Sequence, residues 1–140
     1  MIIRALSSGL ISGTAAALVA AWAGRRKAGS YAAPLNATSH IAWGDEAARH
    51  DRPSLKYTGT GAALHYGAAL FWAALYESLP GPAPLRAAAT TGIAYVVDYH
   101  VVPRRLTPGF ELRVSKGALA AIYLALALGL CARDLAQGNR

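Results

Sequence analysis

Cysteine is all but missing from this sequence. Cys131 is the only one in 140 residues, so no disulfide can staple the chain to itself, and dithiol exchange, which needs a pair, is excluded. Charge is scarce as well: Asp, Glu, Lys and Arg make up 15% of the residues, against about 25% in an average soluble domain. Acids are the rarer sign, seven against fourteen Lys and Arg, for a formal net charge of +7. A phosphate-cradling glycine loop is lacking, because Gly59-Thr60-Gly61 stands without the rest of a dinucleotide fingerprint. No base-reading motif accompanies the basic excess, which is therefore assigned to membrane topology and lipid headgroups, not to nucleic acid. What fills the chain is apolar: 54% of it is hydrophobic, which excludes a disordered polymer.

The few charges are also unevenly spread. Crossing about 30 Å of hydrocarbon takes roughly 20 helical residues, and four windows come close to that length: 5–24, 57–77, 85–102 and 114–132. The first holds no ionisable group between Arg4 and the run Arg25-Arg26-Lys27. The second is interrupted by His65 and stopped by Glu77; the third carries Arg86 at its start and Asp98 and His100 near its end. The fourth is built of uncharged helix formers from Gly117 to Ala132, with Val114 as a lead-in. The pattern predicts an all-α polytopic membrane protein, one membrane domain over 1–140, folded as a bundle of four transmembrane helices. A soluble bundle would need a polar outer face repeating every 3.6 residues, and windows one and four have almost none. A cleaved signal peptide ending at Ala21-Trp22-Ala23 competes for the first window, but Ser7, Ser8, Ser12 and Thr14 dilute it and a basic cluster follows.

Lys and Arg are retained on the cytoplasmic face. The structured loop 25–56 holds Arg25, Arg26, Lys27, Arg49, Arg52 and Lys56, and the loop before the fourth window holds Arg104, Arg105, Arg113 and Lys116. Opposite them lie Arg4, Arg86, Arg133 and Arg140. Both termini are thus expected outside, and an alanine- and arginine-rich bacterial coding style makes the inner membrane the expected location. Each cytoplasmic loop is expected to carry a short interfacial helix. In the first, Pro34 can start one and Gly44 end it, beside the amphipathic ring of Trp43. In the second, Thr107 can cap a turn begun by Pro108. Asn36-Ala37-Thr38 fits a glycosylation acceptor but falls on the wrong side, so it is read as coincidence.

Helices in lipid associate through small residues. Gly9 and Gly13 form such a seam in the first window, continued by Ala17 and Ala21, and Gly117, Ala121, Ala125 and Gly129 form one in the fourth. Ala69 with Ala73, and Ala88 with Gly92, are the counterparts in the middle pair. Ionisable groups inside a span mark function by default. His65, some 12 Å along its span at 1.5 Å per residue, and Asp98 and His100, about 6 and 3 Å before the end of theirs, fall in the cytoplasmic half. A pocket lined by His65, Tyr95, Asp98, Tyr99 and His100 is the expected ligand site. A metal could use His40, His65, His100 and Asp98, although no tight ligand spacing links them. Haem b could bridge His65 and His100, and a quinone or proton site needs only a His and a carboxylate.

No catalytic motif emerges. The first span lacks the acid that small four-span drug exporters carry, and no nucleophile and base are paired as an intramembrane protease requires. The leading expectation is a non-enzymatic subunit or scaffold, in a homo-oligomer or larger membrane complex. A haem- or quinone-binding redox or proton-coupled protein comes second, and a small transporter using Asp98 third.

Overall fold

A computed structural model describes residues 1–138; Arg140, one of the arginines assigned to the outer side, lies outside them. Among the described residues every regular element is helical: α1 (Ile2–Ala28), α2 (Ala33–Thr38), α3 (His40–Trp43), α4 (Thr60–Ser78), α5 (Ala83–Val96) and α6 (Lys116–Ala136). A π-helical turn at Leu55–Gly59 leads into α4, and another at Val97–Val101 prolongs α5. α1 overruns its expected window at both ends. It takes in Arg25, Arg26 and Lys27, cations suited to a helix C-terminus, and stops where Gly29 turns left-handed (φ 72°) and returns its N–H to Arg25 O. α6 begins at Lys116, where Ser115 Oγ accepts from Ala118 N at 3.1 Å. Thr107 caps nothing: its hydroxyl sits 2.9 Å from Glu111 Oε1, and the turn Phe110–Leu112 starts after Gly109.

Two helices, α1 and α6, are long and apolar enough to cross a membrane. α4 and α5 fall short of that measure. His65, Tyr66, Tyr76 and Glu77 dilute α4, and α5 has 14 residues before its π turn. The four form an antiparallel bundle, with α1 between α4 and α6, and α5 on the far side of α6. Arg4, Glu77, Arg86 and Asp134 meet at one pole, bringing together the start of α1, the end of α4, the start of α5 and the end of α6. Both long connections cover the opposite pole, joined there by Lys27 Nζ to Val114 O (3.2 Å) and by Arg113 to Asp51.

On α1 and α5 small residues face inward and large apolar ones outward, whereas α4 also buries Trp72 and Tyr76 and α6 buries Ile122, Leu126 and Leu130. On α1 the inward row is Ser8, Ser12, Ala16 and Ala20, all fully buried, while Ile3, Leu10, Leu18 and Trp22 point out. Phe71 on α4, Leu85 and Ile93 on α5, and Leu124 and Leu128 on α6 are exposed in the same way. Only 28% of the α1 window and 33% of the α6 window are buried in the protein, so most of each window faces away from the bundle's interior.

The small-residue seams are used selectively. A Cβ on Gly9 would meet Leu70 Cδ2 at 2.7 Å and one on Gly13 would meet Tyr66 at 2.9 Å, so α1 and α4 touch there backbone to side chain. Gly129 is in close contact with the Ser12 backbone, and Ala69 and Ala73 are buried. By contrast Gly117 and Ala121 are exposed and Ala125 half-buried, so the α6 seam is not the predicted row; Ile122, Leu126, Gly129 and Leu130 take its place. Ala88 and Gly92 also face outward, and α5 buries Ala83, Ala87, Thr90 and Ala94 instead.

The first connection folds back into the mouth of the bundle. Ala33, Asn36, Ala37 and Ser39 are fully buried, because three glycines clear the space α2 needs. A Cβ on Gly24 would lie 2.5 Å from Pro34, one on Gly61 would overlap Leu35 O, and one on Gly109 would come 2.6 Å from Ala37 O. Asn36 then fastens the loop: its Nδ2 donates to His50 O and Arg52 O at 3.0 Å, and its Oδ1 accepts from Thr58. With its amide spent and buried, Asn36 offers nothing to a glycosyltransferase.

Candidate functional site

The expected pocket divides in two. His65 and Asp98 line an inner cavity of about 140 Å³, closed on the cap side by Thr38, Ile41 and Phe110 and walled by Trp72. Tyr95, Tyr99 and His100 line instead a groove of about 820 Å³ between α5 and α6, with Glu111 and Lys116 at its rim. Tyr123 belongs to both and is the wall between them. The helical rows explain the split. His65, Ala69, Trp72 and Tyr76 are all buried along one face of α4, whereas on α5 Thr91 is buried and Tyr95 exposed.

His65 is the most enclosed of the set, 8% exposed. Its Nε2 lies 2.7 Å from Gly13 O, and since a carbonyl only accepts, Nε2 carries the proton. Phe110 and Tyr66 flank the ring at 5.6 and 5.4 Å between centroids. Asp98 is ion-paired with neither His65, His100 nor Arg104; its Oδ2 accepts from Tyr123 Oη at 2.5 Å. On the groove side Tyr99 Oη donates to Glu111 Oε2 at 3.1 Å, and Tyr95 stacks edgewise on Tyr123 at 5.5 Å.

The residues named for a metal do not converge: His40 is buried in the cap with Nε2 2.7 Å from Thr107 O, and no three His, Cys, Asp or Glu side chains meet at a metal position among the described residues. His65 and His100, named for haem, line different spaces. Sequence reasoning left Tyr123, Phe110 and Glu111 out of the pocket and placed Trp72 only on the helical face it shares with His65. Tyr123 had a signal, as the one polar ring in a charge-free α6 window; Phe110 had none, since only the cap brings it inward.

It missed a second cluster at the other pole. Glu77, with a side chain 2% exposed, accepts from Ser8 Oγ at 2.6 Å and pairs with Arg4 (3.0 Å) and Arg133 (3.1 Å). Asp134 pairs with Arg86 at 2.6 Å and accepts from Tyr76 Oη at 2.7 Å. Burial raises the Asp134 pKa, but the Tyr76 hydrogen bond and the charges of Arg133 and Arg86 outweigh it and hold the carboxyl below its ordinary range. All four long helices contribute, so charges assigned to topology act here as a clamp. The signal was present: each apolar window ends in a charge at this pole.

Set against known proteins, the chain matches no family profile, no curated protein and no solved structure.

Proposed function

We propose that this chain is a four-span integral protein of the bacterial inner membrane, with both termini outside, serving as a non-enzymatic subunit or scaffold that assembles with its own copies or a larger membrane complex. The observation that carries the reading is the make-up of α1 and α5: serine, threonine, alanine and glycine face the bundle, while leucine, isoleucine, valine and tryptophan face out. Water would drive those large side chains inward; lipid does not, and it leaves small residues to bring the helices together. The reversal on α5 and the exposed Phe71 on α4 support counting these helices as spans beside α1 and α6, each lengthened by its π turn. The charge clamp seals the outer ends and the α2–α3 cap closes the cytoplasmic ends, beneath ten Lys and Arg whose side follows the positive-inside rule. Assembly is supported by the exposed Gly117 and Ala121 on α6, small residues left over once the bundle's own contacts are made. Cross-linking tests it. With Cys131 replaced by Ser, Ala121→Cys is expected to give a disulfide-linked dimer in native membranes and buried Leu126→Cys none; a monomer in both, matched by a monomer in detergent, contradicts self-assembly.

A further inference from the structure

We infer that the inner cavity is a binding site for a single hydroxylated aromatic ring, of the phenol or quinol headgroup class, with His65 Nδ1 as the acceptor of the ring's hydroxyl. Size comes first. A cavity of about 140 Å³ matches the roughly 150 Å³ apolar cavity that admits benzene, and it is far too small for a tetrapyrrole. The lining agrees, since Trp72, Phe110 and Tyr123 give flat faces and Leu64, Ile122 and Leu126 give apolar walls, the surroundings in which an aromatic ring packs edge to face.

Polarity decides which ring. Because Nε2 donates to Gly13 O, a neutral His65 must hold its free lone pair on Nδ1, and Nδ1 makes no hydrogen bond among the described residues. The residue is nonetheless more than nine-tenths buried on the cavity wall. Across the cavity stands Asp98, whose Oδ2 uses the Tyr123 hydroxyl proton. The acceptors on offer are one imidazole nitrogen and one carboxylate, with the Tyr123 hydroxyl already committed; among the described residues the indole N–H of Trp72 is the one lining donor without a partner. A ring that donates is met by either acceptor, and a ring that only accepts is left with that one N–H. A plain ring in the cavity would bury the Nδ1 lone pair without a partner, the costly state, so a donor gains against a plain ring by about tenfold or more. Ala68 and Leu106, both exposed, form the outer edge of the cavity and give such a ring a way in from outside the bundle.

The probes are phenol, benzene and pyridine, rings of one size that donate, do neither, and only accept. They are titrated at pH 8 into full-length protein in detergent micelles with isotopically labelled isoleucine methyls. Ile41 and Ile122 line the cavity, while Ile3, Ile11 and Ile93 face outward and report non-specific partitioning. The expected result is saturable shifts at Ile41 and Ile122, with phenol bound at least about tenfold more tightly than benzene and clearly more tightly than pyridine. His65→Phe keeps a ring in place and is expected to bring phenol down to benzene's affinity. Equal binding of phenol and pyridine, or no shift at Ile41 and Ile122, overturns the proposal, as does a phenol preference that survives in folded His65→Phe. The wild-type series decides even if that variant does not fold. It also does so independently of sidedness, so its failure and a failure of the four-span topology are separate results.

Discussion

At the scale of single residues, position relative to the bundle's ends decides what a charge is worth. Glu77 is enclosed and answers two arginines, Arg4 and Arg133; removing one partner of a buried pair strands the other, which costs about 3 kcal/mol or more. Glu77→Gln should lower the stability of the detergent-purified protein by that amount, as read from thermal unfolding. Arg4, 55% exposed, should cost under about 1 kcal/mol when changed to Ala. A Glu77→Gln protein as stable as the parent would mean that the clamp does not hold the pole. Acid should act through the same groups. Asp134 has its folded pKa below the ordinary value of 3.8, so its contribution is complete above that value and fades as pH falls through the depressed one. Unfolding followed from pH 7 downward should show an acid limb that flattens in Asp134→Asn; an unchanged limb would assign acid sensitivity elsewhere.

Among the elements, the cap depends on backbone meeting backbone. Gly61 is where α2 lays Leu35 O against α4, leaving no room for a methyl group. Gly61→Ala should therefore displace the cap and destabilise by about 3 kcal/mol, the upper end for overpacking. Gly67, two turns along the same helix with open space around it, should gain stability slightly when changed to Ala. Equal effects, measured side by side, would show that α2 is not seated as described. Here lies the limit of what the sequence disclosed. The long helices could be read from charge-free windows, since apolar length needs no knowledge of neighbours. Pro34 and Gly44 marked the cap because each acts on local backbone. The glycines that cradle it gave no such mark: Gly61 matters through Leu35 of another element, Gly109 through Ala37 as well as its own left-handed backbone, and Gly24 through the turn that brings Pro34 back onto α1. The same applies to Gly117 and Ala121: four-residue spacing names a face of α6, but not what that face meets. His65 and Asp98 were legible as odd charges in apolar windows; their separation from Tyr95, Tyr99 and His100 was not, because Tyr123 of another helix stands between them.

For the whole molecule, α1 and α5 turn small residues inward and large apolar ones outward, and Phe71, Leu124 and Leu128 extend the apolar exterior over α4 and α6; on that exterior rests the claim that α4 and α5 cross the bilayer along with α1 and α6. The alternative, in which α1 and α6 alone cross, puts everything between them on one side of the membrane. Two exposed positions separate the cases, Asp45 in the first connection and Pro80 between α4 and α5. The measurement is maleimide labelling of Asp45→Cys and Pro80→Cys, each with Cys131→Ser, using a membrane-impermeant reagent on spheroplasts before and after lysis. Four spans require Pro80→Cys to label in intact spheroplasts and Asp45→Cys only after lysis; protection of both until lysis would contradict the account.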